Sequence, residues 1–143
     1  MRVDVNLNGF DAGSFNAEQI RVSSEVVDYI ASDAINIENV ANIPDALDKV
    51  IAIGGKLFDW TDEHLKEGRA KVETSTDSDG NPVETVIPDG YYYQKSDFGV
   101  VAQDVQDVFP QAVRRRPNGD LAVDYRKLFA LSFAAIKELN DKI

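Results

Sequence analysis

The chain has 143 residues, with 15 Lys and Arg against 25 Asp and Glu, for a formal charge of −10. A chain of this length can bury one core without covalent staples, the lack of cysteine excludes disulfides and thiolate chemistry, and the acidic balance disfavours nucleic acid and anionic membranes as partners. No apolar run approaches the roughly 20 residues of a bilayer span, and the MRVDVNLNGF start has neither the basic nor the apolar region of a signal peptide. A soluble protein made in a cytoplasm is expected.

In chain order, Val3, Val5 and Leu7 alternate with polar residues, which is a strand pattern. Gly9 and Asp11-Ala12-Gly13 punctuate it. Ile20 to Val22, and Val26-Val27-Asp28-Tyr29-Ile30 after Ser23-Ser24, add further short strands over 1–30. Such strands bury little alone and lean on a neighbouring chain. Residues 32–53 turn to helical spacing, with Ile43, Leu47, Val50 and Ile51 on one face. Pro44 suits the first turn of that helix, and Gly54-Gly55 ends it. Lys56 to Trp60 reads as a strand. Thr61 to Glu67 reads as a helical turn capped by Thr61 or Asp62.

Lys71–Ser75 and Val83–Ile87 flank a turn at 77–82 and predict a projecting hairpin. Tyr91-Tyr92-Tyr93 follows the Pro88-Asp89-Gly90 turn; on a strand its rings point to both faces, so one of them meets another surface. Phe98–Ala102 reads as a buried strand and Asp104–Phe109 as a helix with Val105, Val108 and Phe109 inward, stopped by Pro110. A turn at 117–120 precedes a short strand with Leu121 and Val123 on one face. Asp124 then caps a long closing helix. That helix carries Phe129, Ser132, Ile136, Leu139 and Ile143 at alternating three- and four-residue steps, a heptad-like seam. A second edge, Leu128, Leu131 and Ala135, is placed to pack on the domain itself.

Few residues suggest chemistry. His64 stands alone between Asp62–Glu63 and Leu65, with no further ligands for a metal that needs about four, and reads as a solvated loop histidine. Asp77, Asp79 and Asn81 resemble the start of a calcium loop, but the sixth and twelfth positions, which need Gly and Glu, are Pro82 and Pro88. Arg114-Arg115-Arg116 reads as a solvated strand end or an intersubunit ion-pair partner rather than a phosphate site. Ser32 or Asp33 can cap the helix that follows. A catalytic serine needs a base in hydrogen-bond reach, and Asp33 to Glu38 supply no good one. Neither a cofactor nor a metal is expected.

Three segments, SDAINIENVANIPDALDKVIAIGGKLFDW, FGVVAQDVQDVFPQAV and GDLAVDYRKLFALSFAAIKEL, occur in that order over about residues 23–143. Together they resemble the C-terminal intramolecular chaperone domain of phage endosialidases, tail spikes and tail fibres. The resemblance implies a homotrimer with bundled C-terminal helices, hairpins that embrace an upstream β-rich fibre, and self-cleavage once assembled. It places the cut just before the serine of a Ser-Asp-x-x-x-Lys-Glu-Asn motif, whose serine and lysine act as a dyad. On this chain the serine is Ser32, the aspartate Asp33, and the end of the motif Glu38-Asn39, so the scissile bond is Ala31–Ser32. The lysine position holds Ile37. Isoleucine accepts no proton, and a rescue by Lys49 or Lys56 needs a different geometry.

The expected fold is therefore α+β: short N-terminal strands, a small mixed core with a projecting hairpin, and a long C-terminal helix in a trimeric bundle. Residues 1–31 form an N-terminal β segment and 32–143 the chaperone domain. The leading function is a trimerising chaperone that stays uncleaved, in the host cytoplasm during assembly or on the virion tail. Its partners are itself and an upstream fibre or other tail protein. An active self-processing peptidase at Ala31–Ser32 and a retained adaptor or receptor-binding module are the alternatives. The roughly 31 residues before the motif are too few for a fibre shaft, which suggests a small stand-alone structural protein or the end of a longer fibre.

Overall fold

The structure is a computed structural model that describes residues 20, 24–67, 70–88 and 94–143. It divides into two compact units, Met1–Val40 and Ala41–Ile143. The strand expected around Val3–Leu7 and the Tyr91–Tyr93 strand lie outside the described residues. Residues 24–30, expected as a strand, form none and are exposed, with Tyr29 93 % accessible. β-forming side chains alone do not hold a strand that has no ladder partner.

The second unit is α+β. Its helices are α1 (Ala46–Ile53), α2 (Asp62–Glu67), α3 (Ala102–Val108) and α4 (Tyr125–Lys142). Its strands form three antiparallel pairs: β1 (Lys56–Asp59) with β4 (Ser96–Gly99), β2 (Lys71–Thr76) with β3 (Pro82–Ile87), and β5 (Val113–Arg115) with β6 (Leu121–Val123). The core lies between α1, α3, α4 and the β5–β6 pair. Ala46, Ile53, Val105, Phe109, Ala112, Val113, Leu131 and Ala135 are buried together there. Leu65 of α2 is also buried but stands apart from that cluster.

Helix α1 is shorter than its apolar spacing suggests. Asn39 and Asp45 both adopt left-handed backbone angles, with φ of 56° and 53°. No α-helix passes through such residues, so the first possible helical residue is Ala46. Pro44 consequently sits before the helix rather than in its first turn. The inner face is Ala46, Leu47, Val50 and Ile53, whereas Ile51 is 70 % exposed. Gly54 ends the helix as expected, at φ 59°, and its N–H donates to the Val50 carbonyl at 2.9 Å.

The start of α1 is capped from far away in sequence. Asp45, in its left-handed conformation, makes no side-chain cap. The N–H groups of Ala46 and Leu47 instead donate to the two carboxylate oxygens of Glu138, 3.0 and 2.6 Å away on α4. A carboxylate there satisfies two orphan donors and meets the positive end of the helix dipole. These two backbone hydrogen bonds hold the Glu138 carboxyl below the ordinary carboxylate range, helped by Lys142 and Lys49.

Helix α4 begins where the sequence suggests: Asp124 is its N-cap, and its side chain accepts from the Arg126 N–H at 3.1 Å. Leu131 and Ala135 are buried and Leu128 is half-buried, so the edge assigned to the domain does face it. The Leu121–Val123 strand and the Lys71–Ile87 hairpin also form as expected. Two other expectations are corrected. Strand β4 is Ser96–Gly99, not 98–102, and Phe98 is 76 % exposed rather than buried. A two-stranded sheet has one face turned away from the core, and the Leu57–Phe98 cross-strand pair lies on it. Helix α3 then starts at Ala102 rather than Asp104.

Glu138→Gln keeps the size of the side chain but replaces one acceptor with a donor aimed at a backbone N–H. A carboxyl whose pKa is lowered by folding adds stability above its unfolded pKa and loses it as pH falls through the folded value. Thermal unfolding should show Glu138→Gln below the parent in Tm at pH 7. The gap should close as pH falls below the ordinary carboxylate range.

Candidate functional site

The Ser32 motif lies in the first unit, on a single 3₁₀ turn over Ala34–Asn36. Asp33, not Ser32, caps that turn: its Oδ1 accepts from the Ile35 N–H at 3.0 Å, and its carbonyl accepts from the Asn36 N–H at 2.9 Å. Ile37 leaves the turn in extended conformation, and Asn39 takes the left-handed angle that asparagine tolerates better than most residues. Two motif residues thus have local backbone reasons: Asp33 starts the turn and Asn39 redirects the chain. Ser32 and Ile37 are exposed. Lys49 and Lys56 belong to the second unit. Their ammonium groups donate to the carbonyls of Pro44, at 2.9 Å, and Ile53, at 3.0 Å.

The outer face of α4 is an exposed apolar surface. Phe129, Ile136, Leu139 and Ile143 of the heptad-like seam are all exposed, Ile143 almost completely. Ser132 is half-buried at the edge between seam and core, and its hydroxyl donates to the Leu128 carbonyl at 2.8 Å. Phe133, which a strict heptad count passes over, is 73 % exposed beside the seam. On a helix of 3.6 residues per turn, the seam and the buried edge lie about 90° apart. One chain covers the buried edge and leaves the other face bare.

That bare surface continues onto the β1–β4 pair. Leu57 and Phe98 stand opposite each other across the ladder and are both exposed. With Gly55, Gly99, Val100 and Tyr125 they line a shallow apolar concavity. Tyr125 joins it to α4, since the Val100 N–H donates to the Tyr125 hydroxyl at 3.3 Å. Gly99 makes room for this contact: a Cβ there would lie 2.8 Å from the Tyr125 hydroxyl oxygen and 3.4 Å from the Phe58 ring. Behind the ladder, the Trp60 indole N–H donates to Asp97 at 3.0 Å, and the Trp60 and Phe58 rings meet edge to face at 4.9 Å.

The remaining candidates resolve into local structure. His64 is helical and half-buried, not in a loop: it stacks on Trp60 at 4.4 Å and lies 3.6 Å from Glu67. The Asp77 side chain accepts from the N–H groups of Asp79 and Asn81, which closes the hairpin turn. Strand β3 of that hairpin is tied to α2 by a Lys66–Glu84 ion pair. In the arginine run, Arg114 donates to the Gln111 and Val113 carbonyls, Arg115 to the Gly119 carbonyl and Arg116 to Asp120. Arg116 also lies 3.9 Å from Glu67. Among the described residues no group of three or more His, Asp or Glu side chains is arranged to hold a metal, and no helix is long and apolar enough to cross a membrane.

A family model described as the chaperone of endosialidase matches residues 32–114. The match begins at Ser32, runs through α1, the hairpin and α3, and covers more than half of the chain. No curated protein matches the chain.

The Tyr125 contact gives a local test. Gly99→Ala should displace the hydroxyl and cost about 1 kcal/mol, the usual net worth of one hydrogen bond, measured by urea unfolding. In a Tyr125→Phe background, where that hydrogen bond is already absent, the same substitution should cost less.

Proposed function

The chain belongs to the chaperone-of-endosialidase family, and we propose that it is the trimerising chaperone domain of a phage tail fibre or tail spike that stays joined to the residues before it. The uncovered outer face of α4 carries the assembly half of this reading. Phe129, Ile136, Leu139 and Ile143 expose an apolar stripe at heptad spacing, and three such stripes around one axis cover one another. The partners are two further copies of the chain, together with an upstream fibre or other tail protein that the assembled domain holds in register. The β2–β3 hairpin, solvent-exposed along nearly its whole length, is the element to embrace that fibre. The setting is the host cytoplasm during assembly and the virion tail afterwards.

Ile37 carries the other half. In the family's dyad a neutral lysine takes the proton of the serine hydroxyl. Isoleucine has no lone pair to take it, and Asp33 is committed to capping its own turn. Loss of a general base removes about 10²–10⁴-fold of rate. Ser32 remains an exposed hydroxyl without the family's base beside it in the motif.

Two variants test the halves separately. Ile136→Lys places an ammonium in the seam at an exposed position, so helix content by circular dichroism should hold. The mass by light scattering should fall from three times 15.8 kDa to one chain; an unchanged mass would contradict the α4 interface. Ile37→Lys should restore a C-terminal product that begins at Ser32, read by mass spectrometry. An intact Ile37→Lys trimer would overturn the assignment of Ser32 as nucleophile.

A further inference from the structure

Beside Ser132 the surface of the second unit opens into a second notch, of about 150 Å³. It is lined by Val50, Gly54, Gly55, Val100, Leu128 and Ser132. The two glycines leave it open, between the end of α1 and the flank of α4. A cavity of about 150 Å³ with apolar walls accepts a benzene ring. Phe133, on the same helix, presents a ring of that size to solvent and is 73 % exposed.

We propose that Phe133 of one copy seats in this notch of the next copy, so that the trimer is closed by a side-chain lock outside the helical seam. This rests on the trimeric reading above. Its geometry follows from the helix. With 100° per residue, Phe133 lies about 40° to one side of Phe129, whereas the seam residues spread to about 80° on the other side and Leu128, on the wall of the notch, lies beyond them at about 100°. The ring and the notch therefore flank the seam on opposite sides. A three-fold assembly is heterologous: each copy offers one flank to one neighbour and the other flank to the next. Rotation about an axis along α4 keeps every residue at its own height. Phe133 and Ser132 are adjacent in sequence, about 1.5 Å apart along the axis, so the ring arrives level with its receptor.

The exposed rings of Phe98, Phe129 and Phe133 amount to on the order of 400 Å². Leu57, Ile136 and Ile143 bring the exposed apolar surface to about 800 Å² per copy, which a trimer divides between two neighbours. Contact also puts Phe133 near the Leu57–Phe98 pair, whose concavity shares Gly55 and Val100 with the notch.

Gly55 allows a direct test. A Cβ there meets nothing within 4 Å of its own chain, and its φ is not positive, so Gly55→Leu fills the notch without straining the fold. Sedimentation velocity over a concentration series should show Phe133→Ala and Gly55→Leu each raising the midpoint of trimer dissociation by about tenfold or more. Because the chain has no cysteine, oxidised Gly55→Cys/Phe133→Cys protein should run as a covalent trimer on a denaturing gel, and neither single variant should. A parent trimer that neither Phe133→Ala nor Gly55→Leu weakens would overturn the lock and leave the trimer standing. A double-cysteine protein that stays monomeric on the gel would do the same. A parent that sediments as a monomer would overturn both.

Discussion

Leu131 and Ala135 are sealed against the core that α4 shares with α1 and the turn at Pro110–Ala112, and this contact determines what the rest of the chain can do. Burying one edge of α4 orients the helix. Once the helix is oriented, its second apolar edge must face away from the core. Glu138 fixes the arrangement from the polar side, because its carboxylate reaches the bare N–H groups of α1 only when the two helices are docked. The apolar contact and the remote cap therefore secure the same helix pair. Neither leaves the α4 rotation free to turn Phe129 and Ile136 inward. The exposed stripe is a consequence of the fold rather than a defect in it.

Much of this was legible in the sequence, for reasons that can be named. Helix α4 has eighteen residues without glycine or proline and an aspartate at its cap, so periodicity alone located both of its edges. The β2–β3 hairpin was legible because its turn chemistry, Asp77 to Pro82, is local. The start of α1 was not, because apolar spacing from Ile43 onward looks helical whatever the backbone does. The left-handed angles at Asn39 and Asp45 decide the matter. Glu138 could not be found as a cap from 92 residues away. Phe98 was misjudged because an apolar strand residue does not reveal which face of its sheet is covered. Phe133 escaped because a heptad count attends to the seam and not to its flank.

The Ser32 motif separates into parts with different physics. Asp33 and Asn39 answer to the backbone, one starting a turn and the other bending out of it. They hold the loop whether or not any reaction occurs. In the motif that the chain resembles, the serine and the lysine answer to chemistry, and at the lysine position the chain has Ile37. A turn built on Asp33 and Asn39 therefore does not require a lysine at position 37. The resemblance identified the position, the structure supplied the backbone role of its neighbours, and the assignment of the nucleophile rests on the motif.

Assembly without release makes one demand that a single sample can meet. Native mass spectrometry of the purified 143-residue chain reads stoichiometry and chain integrity together. The account requires a complex of three chains, each of the full 15.8 kDa with residues 1–31 still attached. A monomer, or a trimer of shortened chains that begin at Ser32, would contradict it.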